Sequence, residues 1–275
     1  MQPSLNDVLE FLLHLFNGSD NRGGIGYSAL NTARSALSSV ITIDGHAVGS
    51  HPLVCRFMRS VFNQRPALPK YVITWDTDIM LRYLKSLGPN KRLTIQLLTH
   101  KLTMLLLLLS GQRTQTIHLF DVRNMTLTFS RVTFTIGDLL KTSRPGSHVG
   151  QVSYKGYAPD RRLCVVTALK VYLERTLDVR GAEKKLLLTL RPPIHAASRD
   201  TVRRWVRECL QAAGIDTSMF APHSTRSAST SKAATKLPLE TVLRSAGWTN
   251  GSTFAKYYKK AVGDKDFGRT ILSSV

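Results

Sequence analysis

Five short stretches beyond residue 109 combine residue types and spacing suited to chemistry on an anion. His223-Ser224-Thr225-Arg226 pairs an imidazole, which exchanges protons near neutral pH, with a permanently charged guanidinium. Pro222 suits a helix start, so positions i and i+3 share a face. The alternative is a capping histidine beside a surface arginine. Ser110-Gly111-Gln112-Arg113 closes an apolar run and sets Arg113 just beyond it, where a guanidinium can grip a phosphate bidentately. In isolation Arg113 reads as an ordinary helix-terminal arginine. Lys141, within Leu139-Leu140-Lys141-Thr142-Ser143-Arg144-Pro145-Gly146, sits on a turn from which an ammonium can protonate a leaving oxygen. Alone it reads as a solvated loop charge. Gly247-Trp248-Thr249-Asn250 offers an indole N–H just after a short helix, although a lone tryptophan is usually core. Finally, Ser252-Thr253-Phe254-Ala255-Lys256-Tyr257-Tyr258-Lys259-Lys260 carries two tyrosines on a basic helix. A phenol, with a pKa of about 10, is a poor nucleophile unless cations stabilise its anion. One of the two tyrosines is expected to pack into the core instead.

These residues need a scaffold, and the hydrophobic periodicity supplies a mainly α class with a small antiparallel sheet. Helical spacing runs over 4–16, where Val8, Leu9, Leu12, Leu13 and Phe16 form one face ended by Asn17-Gly18-Ser19-Asp20, and again over 27–40 and 52–62. Prolines at 66 and 69 mark a linker. Beyond it, 74–87 and 93–110 read as helices, the second holding the apolar run 102–109 as a buried core helix. Alternating β-branched and aromatic residues predict paired strands over 125–129 and 132–136, with a third over 149–154. Helices resume over 162–177, where Val165, Leu169, Tyr172 and Leu173 share a face, and over 199–213, 223–236, 238–246 and 252–261.

Charge narrows the partner. The net charge is +20, yet residues 1–68 hold five Lys/Arg against four acids, so +19 of it falls on the remainder. A charge of that size repels itself in a compact fold and points to a polyanion such as nucleic acid. The three cysteines, Cys55, Cys164 and Cys209, are far apart and lack metal-ligand spacing, which fits a reducing compartment and no metal site. The start of the chain does not read as a signal peptide, and the run 102–109 is far short of the ~20 residues that cross a bilayer. A soluble protein of the nucleus or cytosol is expected.

The order Arg113, Lys141, His223-x-x-Arg226, Trp248, then Tyr257 or Tyr258 is more specific than any member alone, and it resembles the tyrosine recombinase (phage integrase) family. The phrases Ser-Gly-Gln-Arg113-x-Gln-Thr, Leu-Leu-Lys141-Thr-x-Arg-Pro-Gly, Arg162-Leu-Cys-Val-Val166 and Trp248-x-x-x-Ser-Thr-Phe-x-x-Tyr-Tyr258 resemble the recombinases of DIRS-like retrotransposons. The resemblance implies a catalytic domain over 69–275, preceded over 1–68 by an incomplete helical core-binding (SAM-like) domain. It implies that tyrosine attacks a phosphate of double-stranded DNA, leaving a 3′-phosphotyrosyl bond and a 5′-hydroxyl, with neither ATP, cofactor nor metal required. It assigns Arg113 and Arg226 to the non-bridging oxygens, Lys141 to the leaving oxygen, His223 to the proton of the nucleophile and Trp248 to a phosphate hydrogen bond. A homo-tetramer on paired sites follows from the same likeness, as does a nuclear setting. Phage-type spacing selects Tyr257, while the DIRS-like pattern selects Tyr258, which is favoured here. Adjacent helical positions point about 100° apart, so only one can serve. Thr116 departs from the family, whose members often carry an acid three residues after the first arginine. Two other readings stay open: a remnant that binds DNA without exchanging strands, and a type IB topoisomerase-like enzyme.

Overall fold

The computed structural model describes residues 3–18, 23–67, 72–141, 143–146, 148–248 and 251–262. The chain divides into two compact units, Met1–Lys70 and Tyr71–Val275. The boundary expected between Leu68 and Pro69 lies outside the described residues, as do Ser19 and Asp20 of the first expected helix stop.

The first unit holds α1 (Leu5–Asn17), α2 (Tyr27–Ser38) and α3 (Pro52–Gln64), with a small hairpin of β1 (Thr42–Ile43) and β2 (His46–Ala47) between the last two. Ser4 starts α1 through a reciprocal pair of bonds with Asp7 that satisfies two otherwise orphaned N–H groups. Val8, Leu12 and Phe16 are buried and pack with Leu30, Val54, Met58 and Val61, whereas Leu13, expected on the same face, is exposed. The hairpin was not expected. Its turn is Asp44-Gly45, both at positive φ, a pair that reverses two strands with their natural twist.

The second unit begins with β3 (Ile73–Thr74) and α4 (Thr77–Ser86), then runs through α5 (Ile95–Ser110) and α6 (Thr114–His118) to a sheet of β4 (Met125–Leu127), β5 (Arg131–Thr135) and β6 (Gln151–Lys155). Then come α7 (Val165–Arg180), α8 (Arg199–Ala212), α9 (Ser224–Ala234), α10 (Leu239–Ala246), α11 (Gly251–Tyr257) and β7 (Ala261–Val262). The helix expected from residue 74 starts three residues later because Asp76 caps it, and Thr74 pairs with β7 instead.

Helix α5 is the axis of this unit. Leu98, Leu102 and Met104 to Leu108 are buried among α7, α8, α9 and β6, so a largely apolar helix is enclosed over most of its surface, with Leu109 left exposed. Lys101 is buried as well, its ammonium donating to the Gly88 carbonyl at 3.0 Å, and burial draws its pKa down to about 8. The sheet is antiparallel in the order β4-β5-β6, as the alternation requires. Val132, Phe134, Val152 and Tyr154 point inward, Phe134 stacks on Phe120 at 4.0 Å, and Tyr154 donates its hydroxyl to the Leu106 carbonyl of α5 at 2.9 Å.

Candidate active site

Three chain segments converge at the C-terminal end of α5. The first is the turn that ends it. Gly111 caps the helix at φ 64°, a left-handed conformation that glycine adopts freely, and a Cβ there would meet the Thr230 methyl at 2.8 Å. That close approach lets α9 lie against the turn. Gln112 is buried beside it, donating to the Ser245 carbonyl of α10 at 2.7 Å and accepting from the Thr116 hydroxyl at 3.2 Å. Ser245 in return donates to the Ser110 carbonyl at 3.0 Å. Arg113 follows as the half-buried residue preceding α6.

The second segment is α9, which is buried along most of its length although its sequence is polar: Ser224, Thr225, Arg226, Ser227, Ser229, Thr230 and Ser231 all lie inside. Small side chains allow the backbone to sit close to its neighbours, and the hydroxyls find partners within the protein. Thr230 bonds back to the Arg226 carbonyl at 2.7 Å, and Ser224 accepts from the Trp75 indole at 2.9 Å. Lys232 pairs with Asp76 and Asp78 at 3.4 and 2.7 Å, fixing the far end of α9 to α4. His223 stands exposed at the start of α9, three residues before Arg226.

The third segment is a separate small core of Val242, Ala246, Trp248 and Phe254, with Tyr258 against it. The Trp248 ring centre lies 4.7 Å from that of Tyr258 and 5.4 Å from that of Phe254. The Arg226 guanidinium carbon stands 4.0 Å from the Trp248 ring centre and 5.5 Å from that of Tyr258. Arg226, Trp248 and Tyr258 thus form one stacked group.

Its hydrogen bonding is incomplete in a specific way. Arg226 donates Nη1 to the Gly111 carbonyl at 2.8 Å, but its buried Nε and Nη2, and the buried Nε1 of Trp248, have no partner. Nε and Nη2 form the edge of a guanidinium that holds two oxygens of a carboxylate or phosphate side by side. Burial pushes the Arg226 pKa down, the charge of Arg113 pushes the same way, and Tyr258 opposes both. Among the described residues neither arginine has a carboxylate partner within ion-pair distance. Two neighbouring cations with unpaired donors and no counter-charge make a site for an anion.

Arg113, Arg226, Trp248 and Tyr258 are therefore brought together. Lys141 lies exposed on a turn after β5, and among the described residues no hydrogen bond or ion pair ties it to the group. Tyr257 ends α11, and its side chain lies outside the described part, as do Thr142, Thr249 and Asn250. The contacts that Gly111, Gln112 and Ser245 make across the chain were not legible in the sequence. The glycine after a long apolar helix was the available signal for the close approach, but nothing local marks the partner of Gln112, 133 residues away.

The helices around α5, with the sheet β4-β5-β6 on one side, make the tyrosine recombinase catalytic fold. Residues 89–263 match the phage integrase family, and the chain belongs to it. Among solved structures it is similar to the Tn1549 transposon integrase in complex with transposon right end DNA, at 15% identity and TM-score 0.60, covering 99% of this chain and 85% of that one. It is also similar to the XerH site-specific recombinase in a post-cleavage complex, at 15% identity and TM-score 0.56, covering 91% and 67%. A lambda integrase dimer bound to a COC′ core site gives 15% identity and TM-score 0.52, covering 96% and 82%. No curated protein sequence matches the chain.

Proposed function

We propose that this chain is a DNA strand transferase that cuts and rejoins double-stranded DNA at specific sites through a 3′-phosphotyrosyl intermediate. The observation that carries the reading is the set of unpaired buried donors of Arg226 and Trp248, stacked beside Tyr258 and close to the charge of Arg113. A scissile phosphate seated there would take the Nε/Nη2 edge of Arg226 and the Trp248 indole on its non-bridging oxygens. Arg113 would complete the charge neutralisation as a fifth oxygen ligand builds at phosphorus. Tyr258 attacks, the O–P bond to the 5′-oxygen breaks, and that oxygen takes a proton from Lys141. His223 receives the proton of the phenol. Trp248 has no proton to exchange, so it contributes a hydrogen bond and packing only. Reversal by a 5′-hydroxyl of another strand restores the diester with its bond energy conserved.

The DIRS-like phrases favour the recombinase of a retrotransposon, which acts in a nucleus, and strand exchange of this type implies a homo-tetramer on paired sites. The charge of the second unit suits a DNA-gripping catalytic domain, with Met1–Lys70 as a core-binding helical domain whose balance of +2 gives it the smaller electrostatic share.

The test is a covalent adduct on a denaturing gel, using nicked suicide duplexes drawn from the repeats flanking the gene, for wild type, Tyr258→Phe and Tyr257→Phe. An adduct lost only in Tyr258→Phe is expected. Tight, salt-sensitive binding to those duplexes with no adduct would replace the enzyme by a DNA-binding remnant. Relaxation of a plain supercoiled plasmid without strand exchange between paired sites would point to a topoisomerase.

A further inference from the structure

We infer that Ser227 and Ser231 are positioning residues that hold the backbone of Tyr258 in register with Arg226, an inference that rests on Tyr258 being the nucleophile.

The two serines lie four residues apart on α9 and so share a face, and both are buried. A serine inside a helix ordinarily returns its hydroxyl to a carbonyl three or four residues earlier. Ser229 and Thr230 do so, both bonding to the Arg226 carbonyl. Ser227 and Ser231 instead leave their own helix. Ser231 donates to the Tyr258 carbonyl at 2.6 Å, and Ser227 donates to the same oxygen at 3.2 Å. Ser231 also accepts from the Lys260 backbone N–H at 3.1 Å, so one hydroxyl grips the chain on both sides of residue 259.

Helix α11 needs such a grip. Seven residues do not make a helix that persists by its own hydrogen bonds. Its last carbonyls have no acceptor role left within the helix, and a half-buried carbonyl at Tyr258 must find donors elsewhere. It finds them on the helix that carries the guanidinium, one and five residues beyond Arg226. The ring of Tyr258 is held from the other side by Trp248. Tyr258 is thus fixed at two points, ring and carbonyl, by the residues flanking the anion site, and the serines convert the position of Arg226 into the position of the phenol. In-line attack tolerates little error, and a shift of about 1 Å in a reacting group can cost 10²-fold in rate.

The experiment is single-turnover cleavage of a saturating suicide duplex by wild type, Tyr258→Phe, Ser231→Ala, Ser231→Thr and the double variant Ser227→Ala/Ser231→Ala. Each protein is also measured for duplex Kd and Tm. A parallel substrate carries a 5′-bridging sulfur, whose thiolate leaves without needing a proton. The expected result is a cleavage rate reduced about tenfold in Ser231→Ala and further in the double variant, with Kd and Tm near wild type. The defect persists on the sulfur substrate, and Ser231→Thr, which keeps the hydroxyl, recovers most of the rate. An unchanged rate in the double variant, with Tyr258→Phe still lacking the adduct, overturns the clamp and leaves the nucleophile assignment standing. A parallel fall of Tm, Kd and rate, unrelieved in Ser231→Thr, also overturns it, since the serines would then be structural. An adduct that survives in Tyr258→Phe removes the nucleophile assignment and the clamp with it.

Discussion

Helices α5 and α9 are both buried along most of their length, and they are built from opposite materials. Helix α5 carries Leu102 and the run Met104 to Leu108 into a shared core, and α9 carries Ser224 to Ser231 with one arginine in the middle. Apolar burial returns free energy for every atom hidden, whereas polar burial at best breaks even, and here it leaves Arg226 with two unpaired donors. The first helix stabilises the unit. The second spends part of that stability on keeping a dry guanidinium next to a phenol.

That contrast predicts which helix, when altered, costs structure and which costs chemistry. The largest effect belongs to Arg226→Met, which keeps the bulk and removes the charge. Single-turnover cleavage should fall by ~10²–10³ or more, while Tm holds or rises because a buried unpaired charge is gone. A fall in Tm comparable to that of a core truncation would erase the distinction between the helices. Next comes Leu105→Ala in α5, which should lose about 2–5 kcal/mol in denaturant unfolding yet leave the cleavage rate per folded molecule near wild type at low temperature. Third, inorganic phosphate should raise the Tm of the wild type and not that of Arg226→Met, by up to about 2.7 kcal/mol of stability at a hundred times its Kd. Equal shifts in the two proteins would mean that the anion binds elsewhere.

The smallest effect is in pH. His100 on α5 is buried against Trp205, and burial lowers its pKa below the ordinary 6.5, with Glu208 at 3.5 Å opposing the shift. A histidine whose folded pKa is depressed gives its full contribution above the unfolded value and loses it as pH falls through the folded one. Stability should therefore decline below about pH 6.5, and His100→Phe should flatten that part of the Tm profile. An identical decline in the variant would assign the slope to other groups, His118 among them, since its pKa is lowered too.

Sequence periodicity made α5 legible because its requirement is local: a long apolar run has nowhere to go but inside. The sheet was legible for the same reason, with Val132 and Phe134 alternating inward. Helix α9 was legible as a helix, but not as a buried one, since Ser-Thr-Arg-Ser-Ala-Ser-Thr-Ser carries no apolar stripe and its burial is decided by Trp75, Gly111 and the tyrosine segment. Arg113, Arg226, Trp248 and Tyr258 stood out in the sequence through an order of residue types that resembles a known family. Their pairing through Gly111, Gln112 and Ser245 spans more than a hundred residues and leaves no local trace. The helix expected to run to Ala261 stops at Tyr257, and the two-residue strands β3 and β7 are too short to produce an alternation.

Those two strands set a timetable. Ile73 and Thr74 pair in parallel with Ala261 and Val262, so the start of the second unit waits for residues almost 190 positions later. Contacts of such sequence separation form late, because the whole intervening loop must close before they repay its entropy. On the ribosome, α5 and the sheet can collapse while Tyr258 is still unsynthesised, and that residue joins a scaffold already in place. A nascent chain therefore gathers its basic surface before the Arg226, Trp248 and Tyr258 group can close, and on the proposed function strand breakage would be the final competence it acquires.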